Sequence, residues 1–352
     1  MKNSKVFGYI LGIAAFLALP LWAVGQTDST NQTKAKISLF DLFKKGELPE
    51  ITITANFDSI KANIKNKEYV NGSFEVVQSK KLATKINVKL RPRGKSRRMM
   101  CDFPPLKLKF EKSSLKAQGL ETFNDFKLVT HCLEKSPQIE AVIKREFLIY
   151  QLFNCLTPYS FKASLANITY KNTGKSFKKN THLGIIIEDA ESLAHRNSCQ
   201  TMEQKVIALD SLHQNQEKTT SVFQYMIGNA DWSYMMARNM ELIQQSDGQI
   251  IPVPYDFDYA GLVMAPYARA NAALGQKTVL DRVYLGNAKT SDELHSIFSY
   301  FKTKKAELFQ IIENFDELDW ETRSMMRDYV EGFFAIIESK ERVEKEMLSK
   351  VK

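Results

Sequence analysis

The hydrophobic pattern changes character three times over the first half of the chain. An apolar run from Val6 to Leu19 gives way to polar residues rich in Thr, Asn and Lys over 26–47, which read as a mobile leader. From Leu48 the period becomes two. Ile51-Thr-Ile-Thr-Ala, Ile86-Asn-Val-Lys-Leu, Leu106-Lys-Leu-Lys-Phe and Phe126-Lys-Leu-Val all alternate, and Phe74-Glu-Val-Val follows what reads as an Asn71-Gly72 turn. Alternation sends every second side chain to one face, so these runs predict half-buried strands. Helical spacing begins near Pro137, with Ile139, Val142, Ile143, Phe147, Tyr150 and Leu152 on one face.

Strand patterns return at Ala163–Tyr170 and at Leu183–Ile187, the latter ending in Glu188-Asp189. Thr219–Ile227 reads as a buried helix running into Gly228-Asn-Ala-Asp231. Ile250 to Asp258 reads as a short buried or extended segment with acids at its end. Thr290-x-x-Glu293 is a capping box ahead of one long helix, and a second follows Trp320. Their Met and aromatic stripes read as core packing. Strands, one helix, more strands and then helices make an α+β order, with a β-rich part over about 48–190 and a mostly helical part over about 200–350.

Composition adds two constraints. With 44% hydrophobic and 25% charged residues the chain is an ordinary globular protein, neither collagen-like nor wholly disordered. Lys2 and Lys5 ahead of the apolar run, Pro20, and Ala23-Val-Gly25 follow the order of a secretory signal peptide over 1–25. The expectation is an exported protein, periplasmic or extracellular, with no membrane contact beyond this segment; an uncleaved signal anchor is the alternative. Export makes a disulfide possible among Cys101, Cys132, Cys155 and Cys199. Cys101 with Cys132, each beside a strand pattern, is the preferred pair, and four buried thiols remain the other option.

The net charge of +9 invites a nucleic-acid reading. Export argues against it, as does the lack of aromatics between the arginines of the most basic stretch, Arg91-Pro-Arg-Gly-Lys-Ser-Arg-Arg98. That stretch suits a phosphate clasp, since guanidinium forks grip oxygens and Gly lets backbone N–H groups approach. A charged hairpin tip would look the same. Asp256 and Asp258 on an extended segment would point one way, and hard oxygen donors with an amide such as Asn239 suit Mg²⁺ or Mn²⁺. Asp231 on its loop is placed to act as a base for a hydroxyl. A strand lysine, Lys107 or Lys109, and the helical Glu146 could form the Lys–Glu pair of phosphoryl transfer, with Lys127 competing. The five histidines are scattered, and no G-x-S-x-G or P-loop pattern occurs.

These motifs, in this order, resemble the spore-coat protein H (CotH-like) kinase family. The likeness rests on Arg91-x-Arg-Gly-x-Ser-Arg97, Gly184-x-x-x-Glu188, Asn229-x-Asp231, Asn239 and Pro254-Tyr-Asp-Phe-Asp258. Cys101-x-Phe-Pro-Pro-Leu and Leu128-Val-Thr-His-Cys132 further resemble a group of exported bacterial proteins at the edge of that family. The resemblance implies a two-lobed atypical protein-kinase-like fold over 48–350. It also implies ATP with Mg²⁺ or Mn²⁺, and transfer of the γ-phosphoryl to Ser or Thr of an exported protein or envelope component. By motif position Asp231 would be catalytic, and Asn239, Asp256 and Asp258 would bind metal. Arg93, Ser96 and Glu188 would join Lys107, Lys109 and Glu146 around the nucleotide. Two departures stand out. The usual Arg-Gly-Asn-Ser-Ser is Arg93-Gly-Lys-Ser-Arg97 here, and Phe103-Pro-Pro105 replaces a Lys-Lys pair. The nucleotide lysine is therefore displaced or missing, and a binding-only pseudokinase is the alternative.

Overall fold

A computed structural model describes residues 37–43, 48–79, 82–95, 97–134, 136–203 and 207–349. The expected signal peptide and Ser96 lie outside them. Among the described residues, seven strands close into a barrel in the order β1–β2–β3–β4–β5–β7–β6. They are β1 (Glu50–Ala55), β2 (Val70–Ser79), β3 (Leu82–Pro92), β4 (Leu106–Phe110), β5 (Asp125–Val129), β6 (Ala163–Asn172) and β7 (Lys179–Ile187). Neighbours are antiparallel except for β1 and β6, which pair in parallel and close the wall.

The alternation read from sequence decides which side chains fill this barrel. Ile51 and Ile53, Leu106 and Leu108, and Phe126 and Leu128 all sit inside one buried cluster. Each such side chain contributes roughly 1.5–3 kcal/mol by leaving water. The same parity turns Lys107, Lys109 and Lys127 outward. Asn71-Gly72, expected as a turn, instead lies within β2, paired to β3. Gly72 is needed there because a Cβ would sit 2.5 Å from the Thr54 carbonyl oxygen on β1. Close strand approach, not a turn, accounts for this glycine. Residues 37–43, read as part of the mobile leader, include a 3-10 turn whose Leu39, Phe40 and Phe43 are buried with the barrel cluster.

Short helices α1 (Phe57–Ala62), α2 (Arg97–Met100) and α3 (Lys112–Ala117) decorate the barrel connections. Helix α4 (Ile139–Leu156) follows β5 and packs both on β6 and β7 and on the later helices. A second core lies on the outer side of β7. It gathers α4, α6 (Gln214–Met226), α7 (Ser291–Glu313) and α8 (Trp320–Ile337), with α5 (Ala190–Arg196) at its margin. The Thr290–Glu293 capping box opens α7 as its sequence indicates. Strands β8 (Gln200–Thr201), β9 (Met240–Gln244) and β10 (Ile250–Pro254) form a separate three-stranded sheet. The fold is thus α+β, with the β-rich region first. Among the described residues no helix is long and apolar enough to cross a membrane. Cys101 and Cys132 form a disulfide, while Cys155 and Cys199 are free thiols.

Candidate functional site

The open end of the β9–β10 hairpin is where distant parts of the chain meet. Beyond the last ladder pair, Met240 with Pro254, the Tyr255 N–H still donates to the Asn239 carbonyl at 3.1 Å. Asn239 and Asp256 flank this point, and both have left-handed backbone, with φ of +52° and +66°. That conformation suits Asn and Asp better than most residues, though it still costs on the order of 1 kcal/mol each. The Asp256 N–H donates to the Tyr150 hydroxyl on α4 at 3.0 Å. Phe257 is fully buried and packs on Tyr150, so the acids either side of it are held against α4. The convergence of Asp256 and Asp258 comes from this bend, not from the period-2 strand expected.

Both carboxylates face one guanidinium. Arg97 on α2 makes a very close ion pair with Asp256 and sits 3.3 Å from Asp258 Oδ2 and 3.8 Å from Glu146 Oε2. Arg97, Glu146 and Asp258 are buried, and Tyr267 lies beside Asp258. Glu146 and Tyr150 are one helical turn apart on α4 and so reach the same place. Burial works against the Arg97 charge, but Asp258 and Glu146 outweigh it and its pKa rises. Burial raises Glu146 and Asp258, with Arg97 pulling both back down. Three carboxylates share one cation here.

Next to this cluster two further cations bracket an aromatic ring. The Arg93 guanidinium lies 5.9 Å from the Tyr255 ring centroid, and Lys127 Nζ lies 5.0 Å from the same ring and 4.6 Å from Phe161. Lys127 has Glu241 at 3.8 Å. Among the described residues Arg93 has no carboxylate within ion-pair distance. Burial lowers the pKa of both, for Arg93 with Arg97 adding to the effect and for Lys127 with Arg93 doing so. Two partly desolvated cations flanking one ring supply donors of the kind that suit an anion.

Asp231 follows α6 on a turn. Gly228 makes the turn possible with φ +68°, since a Cβ there would strike the Tyr329 hydroxyl. Asn229 Oδ1 accepts the Asp231 N–H at 2.9 Å. Asn239 Nδ2 donates to the Asp231 carbonyl at 2.7 Å and to its Oδ2 at 3.0 Å, and Arg238 lies 3.6 Å from Oδ1. The Asp231 side chain keeps 38% of its surface exposed, so it can meet a solute. Asp231 also lies close enough to Asp258 to raise its pKa. The structure therefore brings Asp231, Asn239, Asp256, Asp258, Glu146 and Arg93 together.

Other expected residues lie elsewhere. Lys107 pairs with Asp125 at 2.7 Å on the outer wall, and Lys109 is exposed. Strand parity turns both away from the barrel interior, and neither contacts the cluster; Lys127 on β5 takes that place. Glu188 is buried but engaged with Arg196 and the Lys162 N–H, each at 2.7 Å. The basic stretch is not one clasp. Arg91 stacks over Tyr69, Arg98 is spent on the carbonyls of Ile64 and Lys65, and Lys95 is exposed. Among the described residues no group of three His, Cys, Asp or Glu is placed to hold a metal ion. Arg97 stands between Asp256 and Asp258, where a bound cation would have to sit. Tyr150, Tyr255 and the separate role of Arg97 escaped sequence reading. The signal for Tyr255 was its place directly before Asp256, after a buried strand. A cavity of about 460 Å³, lined by Phe40, Phe43, Phe147 and Phe315 among others, contains none of these residues.

No protein-family model matches the chain, and no curated protein is a significant match. One similar solved structure is the crystal structure of a Helicobacter pylori proinflammatory kinase, CtkA. It shares 10% identity over 68% of this chain and 91% of that one, with a TM-score of 0.39. So loose a superposition transfers neither residues nor activity.

Proposed function

We propose that this chain is an exported, CotH-like protein of two-lobed kinase type. In this reading it binds ATP or a related nucleotide and transfers the terminal phosphoryl to a Ser or Thr hydroxyl of an exported protein or envelope component. The observation that carries the reading is the pair of cations around Tyr255, set directly beside Asp231, Asn239 and the acids after β10. Arg93 and Lys127 would hold phosphate oxygens and offset the charge that builds on them during transfer. Asp231, exposed and oriented by Asn239 and Asn229, would accept the proton of the attacking hydroxyl. The hydroxyl oxygen then bonds to the terminal phosphorus as the bridging oxygen leaves with the nucleoside diphosphate. Kinase chemistry usually adds a divalent metal, but the carboxylates for it are engaged by Arg97, and no step is assigned to one.

That engagement favours a second reading, a binding-only pseudokinase that keeps the nucleotide site and serves as an envelope interaction protein. Incubation with γ-labelled ATP separates the two. The kinase reading expects label on the protein or on an added envelope fraction, lost in Asp231→Asn while nucleotide binding persists. Binding without any label transfer supports the second reading. Absence of nucleotide binding overturns both.

A further inference from the structure

The residues expected to hold a divalent cation are held by the chain's own side chain. We infer that Arg97 is a built-in cation standing in the metal position of the Asp256–Asp258–Glu146 cluster, and that removing it converts the cluster into a divalent-cation site. The inference deepens the reading of the same site given above, yet it needs no nucleotide.

Four observations support it. Among the described residues the ion pairs of Glu146, Asp256 and Asp258 all run to Arg97, with Tyr267 beside Asp258 and Arg93 beyond ion-pair distance. Three carboxylates exceed the charge of one guanidinium. Glu146, 1% exposed, has its Oε1 buried without a hydrogen-bond partner, which leaves an oxygen donor over in the cluster. Oxygen-only donors of this kind match Mg²⁺ or Mn²⁺, and a dication would bring twice the charge of the arginine into the same space.

Arg97 is also delivered to this place by covalent and polar anchors on its own short helix. The Cys101 N–H donates to the Arg97 carbonyl at 2.8 Å, and Cys101 is bonded to Cys132. The neighbouring Arg98 is tied to the Ile64 and Lys65 carbonyls on the far side of the loop. A side chain that merely drifted into an acidic pocket would not be braced from both sides. An ordinary buried ion pair would leave the carboxylates one-to-one with cations, which is not the case here.

Titration with MnCl₂ alone, read by calorimetry and by electron paramagnetic resonance of free Mn²⁺, tests this on the full chain. Arg97→Ala should bind Mn²⁺ at least tenfold more tightly than the wild type and should lose that gain in Arg97→Ala/Asp256→Asn. Mn²⁺ should also raise the melting temperature of Arg97→Ala more than that of the wild type. Arg97→Gln, which keeps a hydrogen-bond donor without charge, should behave alike. If neither variant folds unaided, Mn²⁺ during refolding should restore the helical circular-dichroism signal. Equal Mn²⁺ affinity in wild type and variants, or no binding and no rescue in either variant, overturns the inference. Gained Mn²⁺ affinity without phosphate transfer leaves it standing and sinks the kinase reading. Transfer by the wild type with unchanged Mn²⁺ affinity in the variants does the reverse.

Discussion

Two stretches of this chain look alike as sequence and differ completely as structure. Ile185-Ile-Ile-Glu-Asp189 and Val253-Pro-Tyr-Asp-Phe-Asp258 are both hydrophobic runs that end in acids. At the end of β7 every acid is matched. Glu188 takes Arg196 and a backbone N–H, and Asp189 caps α5 while accepting the N–H groups of Asn124 and Asp125. After β10 two acids, joined by Glu146 from α4, crowd one arginine, and a Glu146 oxygen is left over. A matched acid is part of the scaffold. An unmatched one carries unfavourable charge that a ligand, a resident cation or uptake of a proton relieves.

The contrast can be broken most strongly at the brace that delivers the arginine. The Cys101–Cys132 bond closes a loop with a sequence separation of 31. Replacing both cysteines by serine should cost on the order of 3–4 kcal/mol in urea denaturation by the loop-entropy argument. A cost under about 1 kcal/mol would mean the brace is incidental. Next in size is Glu188→Ala, expected to cost about 3 kcal/mol because it strands Arg196, reduced somewhat by the partial exposure of that arginine.

A pH titration sharpens the comparison with a buried group in the barrel region. His131 is fully buried and stacked on His182, and both ring nitrogens lack partners. Burial, with His182 and Lys61, pushes its pKa down to about 3. The folded state therefore prefers neutral His131, while the unfolded chain takes up a proton below about 6.5. Its contribution is present above that value and is lost as pH falls toward 3, at up to about 1.4 kcal/mol per pH unit. His131→Phe should keep the stacking and remove about 1.6 kcal/mol of the stability loss between pH 6.5 and 5. An unchanged slope would show that other groups dominate acid unfolding. The smallest effect is expected at Asp258→Asn. Arg97 keeps two other carboxylates and like-charge crowding eases, so stability should change by less than about 1 kcal/mol. A loss near that of Glu188→Ala would erase the distinction between the two sites.

How much was legible depended on whether a feature repeats. Alternation in Leu106-Lys-Leu-Lys-Phe110 and helical spacing from Ile139 marked strands and helix, because burial imposes a period on side chains. Closure of the barrel by parallel pairing of β1 with β6 left no such mark, since hydrogen-bond register is carried by backbone alone. The candidate site divides the same way. Asp256 and Asp258 stood out because acids beside a core need partners, and Asp231, Asn239 and Glu146 because phosphoryl transfer uses such groups in that order. Lys127 could not be chosen over Lys107 and Lys109, as all three share the outward parity and only the placement of Tyr255 and Glu241 separates them. Glu188, expected near the nucleotide, is taken by Arg196 instead, a pairing that no local pattern announces.

If Arg93, Tyr255 and Lys127 form a phosphate-binding place beside the acids after β10, as proposed, nucleotide affinity depends on Lys127. Titration of ATP against the wild type and Lys127→Met tests it most directly. Binding should be at least tenfold weaker in the variant, with stability unchanged or slightly raised, because a largely buried cation of lowered pKa has been removed. Equal affinity in the two proteins, or no binding to the wild type, would contradict it.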